Sequence, residues 1–170
     1  MNLKKYIRNI NDFPKKGIIF RDITPLLKNR KIFKFTIDIL AQHYKSIKIN
    51  KIVSIESRGF ILGSALAYKL NCGFIPIRKK GKLPYKTVSI TYDLEYGKDC
   101  LEIHTDAIKK GENILIVDDV LATGGTAKAV VDLINKLNAK IVGLCFLIEL
   151  SYLHGKEKLH NYDIFSLIKY

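Results

Sequence analysis

The 170 residues of the chain, 48% of them hydrophobic and 26% charged, fit one globular domain with a buried core and leave no room for a second. Cys72, Cys100 and Cys145 are too far apart for a zinc site or a disulfide framework, so we expect free thiols in a reducing cytoplasm. The net charge of +13 suits a small anionic substrate. The lysines form no basic stripe, so we do not expect nucleic acid as a partner. No apolar stretch is long enough for a transmembrane helix, so we do not expect a membrane as a partner.

The N-terminal part of the chain carries apolar residues at helical spacing in two places. Leu3, Ile7 and Ile10 share one face over residues 3–10, and residues 33–44 repeat that pattern. The spacing predicts two amphipathic helices that flank a loop.

The middle of the chain alternates between strand and helix patterns. Residues 51–55 predict a short apolar strand, 59–70 a helix and 73–77 a second strand, which together form a βαβ unit. After a basic loop, residues 87–94 and 100–104 alternate between apolar and polar side chains, so they predict a ribbon or flap.

The third part predicts the centre of a parallel sheet. Residues 113–119 form an uninterrupted apolar run into two aspartates, as expected of a strand covered on both faces. A helix is predicted at 125–137 and another buried strand at 140–150. The order of elements predicts an α/β fold, with a central, mostly parallel, twisted sheet and helices on both faces. Ligands of such sheets bind beyond the carboxyl ends of the strands.

The loop after the third strand has the composition of a phosphate-binding loop. In residues 122–126, two glycines let an oxygen approach the backbone at a helix start, and Thr123 and Thr126 add hydroxyl donors. The segment matches neither the P-loop pattern nor the dinucleotide-binding pattern. The alternative is an ordinary helix cap with solvated acids.

Asp118 and Asp119 indicate what else a ligand at this loop would carry. Carboxylates beside a phosphate site repel a bare phosphate, so they should face hydroxyl donors or a hydrated cation. A ribose 5-phosphate offers both groups, with its phosphate on the loop and its 2′ and 3′ hydroxyls on the acids.

The stretch ILIVDDVLATGGT resembles the signature of the type I phosphoribosyltransferases, which bind 5-phosphoribosyl 1-diphosphate. Further segments, in order and spacing, are similar to the adenine-specific members of that family, and the resemblance covers nearly all of residues 12–170. These segments are FPKKGIIFRDITPLL, ESRGF, IRKKGKLP, YDLEYG, LEIHTDAI and LIEL. The resemblance implies a single domain over residues 1–170, with a base-binding segment at 1–30 and a small, flexible hood at about 78–97.

The resemblance also implies roles for the phosphate-binding residues. The 5′-phosphate would lie on the loop and the ribose diol on Asp118 and Asp119, while four cations would bind the diphosphate, two of them with a catalytic role as well. The loop residues are Ala122, Thr123, Gly124, Gly125 and Thr126; the cations are Arg58 and Lys82, both also catalytic, with Arg78 and Lys79. In the alternative interpretations Arg58 pairs with Glu56 and the lysines are ordinary solvated side chains.

The base would be held by residues from three parts of the chain. The resemblance assigns base contacts to Ile19, Arg21, Tyr96 and Leu150, and makes Glu95 a candidate for proton donation to purine N7. Such a donor needs a pKa raised by burial. The alternatives are an exposed acid at Glu95 and an Arg21 that pairs with Asp22 or another surface acid.

Ala122 stands where relatives that use 6-oxopurines carry an aspartate, so adenine is the expected base. The implied reaction joins adenine to 5-phosphoribosyl 1-diphosphate, giving AMP and diphosphate for purine salvage, in a cytoplasmic homodimer. Mg²⁺ would be held through the substrate and not directly by protein ligands. The alternatives are a phosphoribosyltransferase for xanthine or another purine, and a non-catalytic regulator that senses the same substrate and binds nucleic acid.

Overall fold

The computed structural model describes residues 2–94 and 97–170, and Glu95 and Tyr96 lie outside them. The strands and helices, in chain order, are β1 (Arg8–Asn11), β2 (Ile19–Asp22), α1 (Thr24–Leu27), α2 (Arg30–Tyr44), β3 (Lys51–Ile55), α3 (Arg58–Leu70), β4 (Gly73–Lys79), β5 (Thr87–Leu94), β6 (Gly97–His104), β7 (Asn113–Leu121), α4 (Gly125–Lys136), β8 (Lys140–Glu149) and β9 (Ile164–Lys169). Short 3₁₀ helices lie at Leu3–Tyr6, Ser151–Leu153 and Gly155–Leu159.

Seven strands form the central sheet in the order β5-β6-β4-β3-β7-β8-β9. Strands β4, β3, β7, β8 and β9 run parallel to one another, whereas β6 pairs antiparallel with both β4 and β5. The predicted α/β fold with a mostly parallel central sheet is therefore confirmed. A separate antiparallel pair, β1 with β2, lies at the N-terminal end.

Helices cover both faces of the sheet because the central strands are apolar on both faces. Along β7, Leu115 and Val117 pack in one buried cluster with residues of α2 and α3, while Ile114 and Ile116 pack in a second cluster with residues of α4. All four side chains are at most 1% exposed. Burial on both faces fixes β7 at the centre of the sheet, and thereby the position of the acids at its end.

The order in which the chain adds strands to the sheet reverses between β3 and β7. From β3 the chain passes through α3 to β4 on one side, and from β7 it passes through α4 to β8 on the other. The two connections therefore diverge and leave a crevice at the carboxyl ends of β3 and β7, where α/β sheets bind ligands.

Three local predictions differ from the structure. The helix predicted over 3–10 is wrong, since a 3₁₀ turn ends at Tyr6 and β1 follows, pairing with β2 and leaving Ile10 38% exposed. The predicted loop between the first two helices contains β2 and α1, and β9 was not predicted. Strand pairing, which helical periodicity does not report, explains these elements: β1 and β2 pair with each other, and β9 pairs with β8.

The predicted ribbon is present as the β5–β6 hairpin, and it is part of the central sheet. Arg78 and Lys79 of β4 pair with Glu102 and Leu101 of β6, and Leu101 is 1% exposed. Whether the hairpin moves as a hood stays a prediction.

Among the described residues, no helix is long and apolar enough to cross a membrane.

Candidate active site

The crevice between β3 and β7 holds a cleft of about 540 Å³. Its lining comes from the loop after β3, the end of β7, the start of α4 and the β4–β6 region. Residues that represent these parts are Glu56, Arg58, Lys79, Tyr92, Asp118 and Thr126. The cleft is polar and charged, which suits a ligand with several ionised groups.

Asp118 and Asp119 occupy the last part of β7, which extends two residues beyond the predicted strand to Leu121. The Asp119 amide donates to Asp118 Oδ1 over 2.9 Å, and a Cβ at Gly59 would lie 2.6 Å from the same oxygen. Burial, together with the adjacent charge of Asp119, raises the pKa of Asp118 well above its usual value. The fold therefore holds two carboxylates close together at a cost in stability, which is typical of a functional site.

Arg58 connects the acid pair to the N-terminal segment. Its Nε lies 2.8 Å from Asp119 Oδ2, and its Nη1 donates to the carbonyl of Arg21 over 3.4 Å. Its guanidinium also lies over the Phe20 ring, 4.6 Å from the centroid. Asp119 Oδ2 is buried and, among the described residues, has no well-aligned hydrogen-bond donor despite this ion pair.

Glu56, directly after β3, holds two of the predicted diphosphate-binding cations. Its carboxylate accepts from Arg78 Nε over 2.8 Å and from Lys82 Nζ over 2.6 Å, and its side chain is only 7% exposed. Although burial opposes it, the hydrogen bonds from Lys82 and Arg78 hold the pKa of Glu56 below its usual value. The third cation, Lys79, lies 3.0 Å from Asp99 Oδ2 on β6.

The loop at residues 122–126, called the phosphate loop after its predicted role, presents free amides to a small cavity of about 90 Å³ beside the cleft. Gly124 has φ of 79°, which an L side chain rarely adopts. Within the described part of the chain, the N–H groups from Thr123 to Ala127 have no hydrogen-bond acceptor, and the first helical bond to this turn is from Lys128 to the Gly124 carbonyl. Unpaired amides at a helix start attract an anion.

Gly155 supports this loop from behind. A Cβ at Gly155 would lie 2.1 Å from the Ala122 carbonyl oxygen, and a Cβ at Gly124 would lie 2.4 Å from the Gly155 carbonyl oxygen. The two backbones are therefore in direct contact, and neither position has space for a side chain.

A model of the phosphoribosyl transferase domain matches residues 22–169. The chain belongs to the phosphoribosyltransferase family. It is 61% identical to the adenine phosphoribosyltransferase of Brachyspira hyodysenteriae over 170 residues, which cover 100% of both chains. Its structure is similar to a crystal structure of adenine phosphoribosyltransferase from Thermoanaerobacter pseudethanolicus, with a TM-score of 0.96 and 51% identity over 99% of this chain and 98% of that chain. The enzyme from Saccharomyces cerevisiae, complexed with an imino-altritol bisphosphate and adenine, gives a TM-score of 0.92 at 42% identity over 97% and 96%.

The structure brings the phosphate-binding and diol-binding candidates of this phosphoribosyltransferase together around one crevice. The alternative in which Arg58 pairs with Glu56 is wrong, because Arg58 pairs with Asp119 and Glu56 pairs with Arg78 and Lys82. The roles assigned to these residues stay predictions, as does the transfer of any loop lysine to another subunit.

The described candidates for base binding are Ile19, Arg21 and Leu150, which lie on β2 and directly after β8. Ile19 is 42% exposed on β2, and the Leu150 amide donates to the Leu121 carbonyl at the end of β7. Arg21 does not pair with Asp22, since its guanidinium stacks on the Tyr170 ring, 3.8 Å from the centroid, and donates to Asn9. Glu95 and Tyr96 lie outside the described residues, so their roles stay predictions.

Four residues at the site were not identified from the sequence as functional candidates. Glu56 and Asp99 pair with the cations, Tyr92 lines the cleft, and Gly155 supports the phosphate loop. Glu56 precedes Arg58 by two residues, a signal that could have included it. Asp99, Tyr92 and Gly155 come near the site only because the fold brings distant segments together, which no local sequence pattern predicts.

Within residues 2–94 and 97–170, no three His, Cys, Asp or Glu side chains are grouped closely enough to hold a metal ion.

Proposed function

We propose that this phosphoribosyltransferase joins adenine to 5-phosphoribosyl 1-diphosphate and releases AMP and diphosphate. The observation that carries the proposal is the placement of Asp118 and Asp119 at the end of β7, immediately before a loop whose amides are free. One sugar phosphate fits both features, with its diol on the acids and its 5′-phosphate on the loop. The adenine enzymes that the chain resembles over its full length support the choice of base.

In the reaction, N9 of adenine forms a bond to C1 of the ribose while the bond from C1 to the diphosphate oxygen breaks, and the imidazole-ring proton of adenine is released to a base. The sugar passes through an oxocarbenium-like state, so catalysis stabilises the departing negative charge and excludes water. Arg58, Arg78, Lys79 and Lys82 provide the positive charge. A guanidinium suits this task because its forked donors match phosphate oxygens.

The N-terminal segment and Leu150 are proposed to hold the base. Arg58 contacts both the Phe20 ring and the Arg21 carbonyl, so the strand that would bind adenine is adjacent to the residue that would bind diphosphate. This adjacency supports a site in which N9 of the base faces C1 of the ribose. Glu95 remains the candidate for proton transfer at purine N7, where it would accept the proton as AMP forms and donate it in the reverse reaction, since Ala122 has no group that could take that role.

Mg²⁺ is proposed to bind through the diphosphate and ribose oxygens. The unsatisfied Asp119 Oδ2 fits this arrangement, because an acid that accepts from the ribose diol would orient the hydroxyls that chelate the ion. The ion, when bound, neutralises part of the diphosphate charge. Chelation of Mg²⁺ should abolish AMP formation, and restoring Mg²⁺ should recover it.

A direct assay tests the proposed reaction. Purified protein is incubated with Mg²⁺, 5-phosphoribosyl 1-diphosphate and either adenine, hypoxanthine or xanthine, and the nucleotide product is identified by chromatography. We expect AMP from adenine. Activity on hypoxanthine or xanthine but not on adenine would contradict the base assignment, and binding of the sugar diphosphate without turnover on any base would favour the non-catalytic regulator.

We further propose a homodimer in the cytoplasm. Ile61 and Tyr68 lie seven residues apart on α3 and are 41% and 91% exposed, so they form an apolar stripe suited to a second copy of the chain. The free state of Cys72, Cys100 and Cys145 suits a reducing compartment. Light scattering on the purified protein should give twice the monomer mass, and Tyr68→Glu should shift it towards the monomer.

A further inference from the structure

Asp99 lies in the cleft and has no role in the proposed reaction. It is on β6, opposite Tyr92 of β5, and both residues line the cleft together with Lys79. The Cys100 amide donates to Asp99 Oδ1 over 2.9 Å, and Asp99 Oδ2 lies 3.0 Å from Lys79 Nζ. Its side chain is 19% exposed, whereas that of Lys79 is 57% exposed. The acid is therefore held by its own strand, and the lysine is the partner that can move.

The ion pairs set the charge of the proposed diphosphate subsite. Arg78 and Lys82 share the single carboxylate of Glu56, which leaves one net positive charge. Lys79 and Asp99 cancel each other. Apart from Arg58, which pairs with Asp119, three cations and two acids give these five residues a net charge of +1, and removal of the Asp99 charge would make it +2. A diphosphate must therefore compete with Asp99 for Lys79.

We propose that Asp99 is an affinity-limiting residue, which occupies Lys79 in place of a phosphate oxygen and thereby weakens diphosphate binding and promotes its release. The inference rests on the proposed function, since it takes Lys79 as a ligand of the diphosphate. Because Lys79 is more than half exposed, its pair with Asp99 is screened by solvent and is weak enough for a phosphate to replace it. Asp99 is a positioning residue and does not take part in the chemical step.

The first test is isothermal titration of Mg²⁺-diphosphate into the wild type and Asp99→Asn. We expect the variant to bind diphosphate about fivefold more tightly, which corresponds to about 1 kcal/mol. Steady-state inhibition by diphosphate should become stronger by the same factor. Unchanged or weaker binding would overturn the proposal, and weaker binding would mean that Asp99 holds Lys79 in its binding position.

Asp38→Asn is the matched control. Asp38 lies on α2 and pairs with Lys34 and Lys69, so its replacement makes the same change in total charge and also removes a carboxylate from lysine partners. We expect its diphosphate affinity to equal that of the wild type. Tighter binding by Asp38→Asn as well would show a general charge effect and overturn the proposal.

Combination with Lys79→Gln tests whether Asp99 acts through Lys79. In that background, Asp99→Asn should change diphosphate affinity by less than twofold, and a full fivefold gain would contradict the inference. Failure of this inference is separate from failure of the proposed function. A wild type that makes AMP while Asp99→Asn behaves as the wild type contradicts only the former, whereas a wild type that makes no AMP contradicts the latter.

Discussion

Arg58 and Asp119 form an ion pair, with 2.8 Å between Nε and Oδ2, that joins the first residue of α3 to the end of β7. The pair spans the two central strands at the point where their connections diverge. Because Arg58 also contacts Phe20 and the Arg21 carbonyl, one side chain touches both the proposed ribose-binding acid and the proposed base-binding strand.

Arg58→Lys should lower kcat/KM about 100-fold while leaving the melting temperature within a few degrees. Lysine keeps the positive charge, but a single ammonium cannot contact Asp119, the Arg21 carbonyl and a diphosphate at the same time. Steady-state kinetics of AMP formation measure the effect. Arg30→Lys, at the exposed start of α2, is the control and should keep wild-type kinetics. An Arg58→Lys variant as active as this control would remove Arg58 from the site.

Gly155→Ala should raise the KM for 5-phosphoribosyl 1-diphosphate at least tenfold and change the KM for adenine much less. The new methyl group would meet the Ala122 carbonyl oxygen at 2.1 Å, so the phosphate loop must shift away from it. The comparison of the two KM values separates this effect from a general loss of folded protein, which would lower the apparent kcat alone.

Gly143→Ala is the control for the glycine substitution. Gly143 is also buried, but its added Cβ would have its nearest contacts at 3.4 Å and 3.5 Å, an ordinary packing distance. We expect near wild-type KM values for this variant. Equal effects of the two substitutions would show that Gly155 has no specific relation to the phosphate loop.

The parts of the site formed by residues adjacent in sequence were predictable. The parts formed by contacts between segments far apart in sequence were not. The acid pair, the two glycines and the helix start follow one another between residues 118 and 126, so the strand–loop–helix order was sufficient to place them at the crevice. Gly155 is about thirty residues further along and contacts the loop only because β8 returns beside β7. The same reason explains Asp99, which strand pairing brings to Lys79, and the failed helix over 3–10, whose apolar spacing serves a turn followed by a strand.

Asp118→Asn should stabilise the fold while it lowers activity. Burial and the charge of Asp119 raise the pKa of Asp118, so the ionised acid is less stable in the folded chain than in the unfolded chain. This cost is fully present above the folded-state pKa, shrinks as the pH falls below it and vanishes below the pKa of the unfolded chain, and each pKa unit corresponds to about 1.4 kcal/mol. Asparagine removes the charge and keeps an oxygen for the Asp119 amide.

Chemical unfolding at pH 7 measures the stability, and steady-state kinetics measure the KM for the sugar diphosphate. We expect a higher free energy of unfolding and a higher KM for Asp118→Asn. The difference in stability from the wild type should shrink on acidification, because the wild-type acid becomes protonated. A less stable variant would contradict the electrostatic cost of the Asp118 charge, and an unchanged KM would contradict the proposed contact of Asp118 with the ribose.

Asp22→Asn should destabilise the N-terminal segment in a pH-dependent way. Asp22 accepts from Arg8 over 2.6 Å and from the Thr24 amide over 2.9 Å, so it joins β1, β2 and α1. Although burial opposes it, the hydrogen bonds from Thr24 and Arg8 lower the pKa of Asp22 from 3.8 to about 2. A pKa lowered by this amount corresponds to a stabilisation of about 2 kcal/mol when the acid is ionised in both states.

The sign of the shift fixes the pH range of this effect. Because the folded pKa of Asp22 is the lower one, its contribution is fully present above pH 4 to 5 and is lost as the pH falls towards about 2. The free energies of unfolding of the wild type and Asp22→Asn, measured in urea, should therefore differ by up to about 2 kcal/mol at pH 7 and converge near pH 2.

Asp132→Asn is the control. It removes an exposed pair with Lys128 on α4 and should lower the free energy of unfolding by a few tenths of a kcal/mol at pH 7. Because the N-terminal segment also carries the proposed base contacts, Asp22→Asn should raise the KM for adenine. A difference in unfolding free energy that stays constant from pH 7 to pH 2 would contradict the role of the Arg8–Asp22 pair.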